Sequence, residues 1–266
     1  MNSHLNADAL NRLKNWFDSY CCSFSTPVEK DQRNITSKQE HTYQVCLNSV
    51  RIAEDLKLGQ QEILIAEAIG LFHDIGRFPQ YRQYRTFDDS ISINHAALGV
   101  KVLLENTVLK DLSKHDQDLI VHAVTLHNVF ALPEGLNEET LLFARVIRDA
   151  DKVDIMRVVL NYFEQDRGSR AEAVSLGLPD LPGCSEPVLA ALSRGEMSRK
   201  AEIKNQNDFK LLQLAWVYDI NFTSALRMIQ EQGTIDRIAA LLPGSEDVYR
   251  AIDRVREHVS RRVEGE

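Results

Sequence analysis

The chain has 266 residues, 44% hydrophobic and 26% charged, a balance that excludes wholesale disorder and provides for a substantial core. A formal net charge of −8 argues against stable binding to nucleic acid or an anionic membrane, so a phosphorylated ligand would need local cations or metal. No run approaches the roughly 20 apolar residues of a membrane span. The opening MNSHLNADALNRLKNWF lacks a secretory signal pattern, and Cys21, Cys22, Cys46 and Cys184 show no CxxC spacing, so the expectation is a cytoplasmic protein with reduced thiols.

In chain order, helical signals recur and strand-like alternation is scarce, which predicts an all-α fold. Residues 1–36 read as an N-terminal helical segment. Ser37-Lys-Gln-Glu40 has the spacing of a capping box and predicts a helix from there to about Leu58, stopped by Gly59. A helix over 60–74 is apolar nearly all round and should be buried, with Gly76 and Pro79 ending it. Residues 77–93 read as a polar, aromatic loop, in which Tyr81, Arg82, Tyr84 and Arg85 could form a stacking or phosphate-gathering wall or equally a short exposed turn with ordinary surface charge. Asn94 should cap a helix over 95–106 and Ser113 one over 114–130, with a further helix over 138–163. The stretch 166–200, with Gly168, Gly177, Pro179, Pro182, Gly183 and Pro187, reads as a partly irregular excursion rather than a domain linker, and helices over 208–232, 234–242 and 245–262 complete the chain.

Candidate chemistry begins at His73-Asp74, at the end of the most apolar helix. A charged Asp there is costly to bury unless it is paired or bound to a cation. The dipeptide alone is a weak signal, because a histidine near a helix C-terminus also suits the helix dipole. His41 strengthens it. A tight antiparallel turn near Gly59 would bring His41 beside His73, the two lying 18 residues before and 14 after that glycine. Asp149 and Asp151 lie about 200° apart around their helix, so one of them is expected on the buried face.

The pattern His41…His73-Asp74…Asp151, set in LFHDIGRF and RDADKVDIM, resembles the HD superfamily of metal-dependent phosphohydrolases over roughly residues 37–160. The resemblance selects Asp151 over Asp149, since the family's last Asp typically follows Ala. It implies an HD-domain helical bundle over 37–163, followed by a C-terminal helical extension over 164–266 packed on the core. His95, at the start of a helix after the loop, and His127 resemble positions where binuclear members hold a second ion. His127 is preferred to His122, about 140° away on the helix, because it lies nearer the apolar stripe. Asp74 would then bridge, with His41, His73 and Asp151 on one ion and His95 and His127 on the other.

One or two divalent ions are therefore expected as cofactors, with Mn, Fe, Co, Ni, Zn or Mg all compatible with imidazole and carboxylate. Arg77 and Lys152 are candidate phosphate contacts beside a catalytic Asp74, and His4, His115 and His258 sit in polar segments as surface residues. The expected partner is a small phosphorylated substrate, a nucleotide foremost, and a homo-oligomer is left open. Two alternatives stand beside hydrolysis. One is a mixed-valence diiron oxygenase, because some relatives use the same six ligands; the other is a signalling module without turnover. After His127 the text reads NVFALPEG, without the GYP extension of cyclic-dinucleotide phosphodiesterases.

Overall fold

The computed structural model describes residues 3–265. Among them are twelve α-helices and no strand, only an isolated bridge between Ser3 and Leu112, so the fold is all-α. None of the helices is long and apolar enough to cross a membrane. The chain divides into two compact units, one of residues 1–154 with 171–176, the other of residues 155–170 with 177–266.

The first unit is built around α3 (Gln60–Phe72), in which Ile65, Ala66, Ala68, Ile69, Leu71 and Phe72 are all buried. An apolar surface on every side of a helix requires neighbours on every side. These are α1 (Ala7–Cys22), α2 (Glu29–Asp55) and α6 (Lys114–Leu126), while α4 (Arg77–Tyr84) and α5 (His95–Glu105) pack on α2, α6 and each other. α2 and α3 pack extensively on each other. A Cβ on Gly70 would lie 3.0 Å from the Cys46 backbone, so a small residue is required there.

Local signals set several boundaries. Asn94 accepts from the Ala97 amide at 2.9 Å and starts α5, and Ser113 accepts from the Asp116 amide at 3.1 Å and starts α6. α6 stops at Leu126, earlier than 130, which makes His127 its C-cap. α7 (Glu138–Glu164) starts where Asn137 accepts from the Thr140 amide at 2.8 Å.

Other boundaries depart from the sequence reading. Ser37 lies inside α2, which already begins at Glu29, because residues 29–36 contain nothing that breaks a helix. Gly59 opens α3 as its N-cap, with Glu62 accepting from its amide at 2.7 Å. The preceding helix instead ends on Lys57, whose φ of 58° turns the chain. The segment 77–84 is helical. Pro79 sits in the first turn of α4, where its missing N–H would have had no helical partner.

In the second unit, α12 (Glu246–Glu264) buries Val248, Ala251, Ile252, Val255 and Val259 against α8 (Glu186–Arg194), α10 (Thr223–Glu231) and α11 (Thr234–Ala240). Pro187 falls in the first turn of α8 and helps open it, so the stretch 166–200 contains a helix that its breakers concealed. The single helix expected over 208–232 is α9 (Gln206–Ala215), a 3₁₀ turn over Trp216–Asp219, and α10, separated by the extended Ile220. Buried Asp208 accepts from the Ser185 amide at 2.6 Å and its hydroxyl at 2.7 Å, joining the starts of α8 and α9.

One close approach controls the geometry of the first unit. A Cβ on Gly76 would lie 2.1 Å from the His95 carbonyl oxygen and 2.6 Å from the Gly99 amide nitrogen, so the turn after α3 rests directly on the first turns of α5. Gly76→Ala must push these backbones apart, and overpacking of this kind costs about 1–3 kcal/mol. The expected result is a lower denaturation midpoint in urea with an unchanged m-value. An unchanged midpoint would show that the contact does not constrain the fold.

Candidate metal centre

Five helices deliver the candidate side chains. His41 projects from within α2; His73 is the C-cap of α3, with Asp74 next in the turn; His95 is the first residue of α5; His127 caps α6; Asp151 lies midway along α7. The four histidines and Asp74 are buried, and Asp151 is half-buried. Their ligand atoms form two groups, His41–His73–Asp151 and Asp74–His95–His127, each with all atoms within 4.8 Å of one another. Asp74 faces both. Its Oδ2 is 3.5 Å and 3.7 Å from Nε2 of His41 and His73, and its Oδ1 is 3.2 Å and 3.8 Å from Nε2 of His95 and His127.

The far side of each ring determines what the near side can do. His73 Nδ1 is 2.7 Å from the Gly70 carbonyl and His127 Nδ1 is 2.7 Å from the Val124 carbonyl, so both must donate from Nδ1. His41 Nδ1 meets the Asp154 carboxylate at 2.7 Å and His95 Nδ1 meets Asp89 at 2.6 Å. A neutral imidazole that donates from Nδ1 presents a lone pair at Nε2. All four Nε2 atoms point inward, those of His95 and His127 only 2.8 Å apart and those of His41 and His73 3.3 Å apart, and each ring presents a lone pair there in its neutral form. Asp151 Oδ1 is buried and faces Nε2 of His41 at 3.1 Å and of His73 at 3.5 Å, so it gains a hydrogen bond from them only when a ring is protonated at that atom. Acceptors facing acceptors in a dry site fit a cation, and imidazole with carboxylate is a donor set for divalent transition metals.

Electrostatics agree with the geometry. Burial opposes the charges of Asp74 and Asp151. Lys38, His73 and Arg77 outweigh it at Asp74, and His41 and His73 outweigh it at Asp151, so both carboxyls stay well below the usual range. Burial and Lys38 also oppose a proton on His41, but Asp151, Asp154 and Asp74 prevail and push its pKa up to about 10. His95 goes the other way, to about 3, through burial and Arg77, and is held neutral.

Three participants were not found in the sequence. Lys38 donates to Asp74 Oδ2 at 2.6 Å; Asp154 supports His41; Asp89 supports His95. Lys38 and Asp154 each lie three residues from a candidate ligand on the same helix, a spacing that shares a face and was a usable signal. Asp89 sits in a 3₁₀ turn, and nothing in its local sequence distinguishes it from Asp88.

Of the two candidate phosphate contacts, Arg77 reaches the cluster through its Nε, 3.3 Å from Asp74 Oδ1. Its Nη1 is held by Gln80 Oε1, the Phe87 carbonyl and Asp89 Oδ1 at 2.6–2.9 Å. Lys152 is half-buried, next after Asp151 on α7. Of the residues considered for a wall over 81–85, Tyr81 packs inward while Arg82, Tyr84 and Arg85 are exposed. Tyr81 is buried and hydrogen-bonded with Asp31 and Asn34, Arg85 pairs with Asp31 at 2.7 Å, and Arg82 lies over the Phe24 ring. Asp149 is buried like its neighbours, because the Asp149 and Asp151 sides of α7 are both covered, so burial alone would not have separated the two. His122 is exposed, and exposed His4 and His115 both hydrogen-bond with Asp116.

Comparison with known families matches residues 39–156 to the HD domain, an interval that contains all six candidate ligands. Neither the curated proteins nor the solved structures yielded a match.

Two predictions arise from this geometry. Asp74→Ala removes the one side chain that faces both groups, so metal content after dialysis against Mn²⁺ or Co²⁺ should fall for both ions. Full retention would place the ions elsewhere. The raised pKa of His41 means that the metal-free protein carries a proton there below pH about 10, and a ligating imidazole must lose it. Metal uptake near neutral pH should therefore release about one proton for this ligand, and affinity should rise with pH towards 10. Calorimetry in buffers of different ionisation enthalpy measures this, and buffer-independent heats would contradict it.

Proposed function

We propose that the chain, whose residues 39–156 match the HD domain, is a metal-dependent phosphohydrolase acting on a small phosphate ester, a nucleotide foremost. The observation that carries this reading is Asp74, whose two oxygens address two separate sets of donors in one buried cluster. Two divalent ions held there would supply a nucleophile from water at neutral pH and positive charge for the phosphoryl oxygens.

The protein's own groups have distinct tasks in this reading. Asp154, Asp89 and the carbonyls of Gly70 and Val124 fix the four rings with Nε2 inward, so no reorientation is needed when substrate arrives. Lys38 and Arg77 both lie against Asp74 and both flank the Phe87 ring, at 5.3 Å and 5.9 Å from its centre. They provide the local positive charge that an anionic substrate needs in a protein of net charge −8. Ligation through Asp74 Oδ2 would free the Lys38 ammonium for a phosphate oxygen. Arg77, held at Nη1 by three acceptors, serves as a fixed charge. Lys152 is retained as a phosphate contact on its position directly after Asp151.

The test is elemental analysis of protein purified without added metal, followed by a screen of nucleotides and sugar phosphates with the metal found. Phosphate release that is lost on chelation is the expected result. Lys38→Ala should raise KM about 10- to 100-fold, the loss of one charge-assisted hydrogen bond at about 1.5–3 kcal/mol, while metal content is kept. Two irons, oxygen consumption with a small molecule and no phosphate release across the panel would replace this reading with oxygenase chemistry.

A further inference from the structure

Each of the two donor groups contains one histidine backed by a backbone carbonyl and one backed by a carboxylate. In the His41 group the carboxylate is Asp154, on α7, with its side chain 2% exposed. In the His95 group it is Asp89, in the 3₁₀ turn between α4 and α5, with its side chain 29% exposed. Asp89 is also shared in a way that ties several elements together. Its Oδ1 accepts from Arg77 Nη1 at 2.9 Å and Gln80 Nε2 at 2.8 Å. Its Oδ2 accepts from His95 Nδ1 at 2.6 Å, Asn128 Nδ2 at 3.2 Å and the His95 amide at 3.4 Å.

These contacts close a ring. Asp89 Oδ2 holds His95; His95 Nε2 is 3.2 Å from Asp74 Oδ1; Arg77 Nε is 3.3 Å from that same oxygen; and Arg77 Nη1 returns to Asp89 Oδ1. Resting on the metal-centre reading above, we infer that Asp89 is a positioning residue specific to the second ion, aligning His95 for it and fixing the Arg77 charge beside the same oxygen of Asp74. The His41–His73–Asp151 group does not depend on it, because its own carboxylate support comes from Asp154.

The chemistry of the side chain explains why only a carboxylate serves. All five partners of Asp89 are donors, and a carboxylate offers acceptors on both oxygens. An amide would turn one of those oxygens into an NH₂ group, leaving donors facing donors on either the Arg77–Gln80 side or the His95–Asn128 side. In the second case the amide would favour the proton of His95 on Nε2, which removes the lone pair needed for ligation.

The experiment is equilibrium dialysis of the full chain against Co²⁺, with cobalt content and the visible spectrum recorded for wild type and Asp89→Asn. Wild type should take up two ions. Asp89→Asn should bind the first with unchanged affinity and the second about 10- to 100-fold more weakly, the usual effect of losing a histidine's outer partner. Asp89→Glu keeps the charge but shifts the oxygens by one methylene, and gives the same selective readout if the amide variant does not fold. Two ions in wild type with unchanged affinities in the variant, or with both affinities lowered alike, would overturn this inference while leaving the metal centre standing. A wild type that binds no ion would overturn both.

Discussion

Repulsion among electron pairs is the constraint that organises this protein. Four imidazoles are turned so that their Nδ1 atoms are committed to carbonyls or carboxylates, which leaves four Nε2 atoms converging on Asp74 and Asp151. Burial strengthens the repulsion by removing the water that would screen it. A chain evolved only for stability would satisfy such groups with donors or replace them with apolar residues. Here they are retained at the meeting point of five helices, and one proton on His41 can relieve only part of the strain. A cation resolves the arrangement.

The rest of the first unit can be understood as the means of bringing those groups together. α3 is apolar on nearly every side, so it takes the centre and carries His73 and Asp74 out at its end. The α2–α3 pair, close enough that a Cβ on Gly70 would crowd the Cys46 backbone, sets His41 against His73. The contact of Gly76 with the start of α5 sets His95 beside Asp74, and the early end of α6 turns His127 inward as a cap. Caps and glycines that would ordinarily be read as boundary markers therefore act as distance constraints on the donor atoms.

The supporting residues show a division of labour. Carbonyl partners come from the last turn of a helix, three residues before His73 and His127, so they follow directly from the helix ends. Carboxylate partners do not follow from a helix end: Asp154 lies 113 residues from His41, and Asp89 lies six residues from His95 in the turn before α5. The two cations beside Asp74 differ similarly. Lys38 has one strong contact there, whereas Arg77 is held in a network with Gln80, Phe87 and Asp89.

Much of this was legible in the sequence. Apolar periodicity and its interruptions identified the all-α class, and Asn94 and Ser113 marked helix starts because capping is a local hydrogen bond between neighbours. The candidate ligands could be named because His41, His73-Asp74 and Asp151 carry a recurrent pattern in one chain order. Signals that depend on competition between neighbours were less readable. Ser37 has a capping spacing that α2 overrides, Gly59 starts a helix where it was expected to stop one, and Pro79 and Pro187 fall in first turns where proline is tolerated. Only the tertiary structure decided that Asp74 faces both donor groups, that Asp89 supports His95, and that Tyr81 and Arg85 join α4 to α2. Each of these depends on which side chains come within about 3 Å of one another, a distance set by how the helices and the turns between them pack rather than by residue type or spacing.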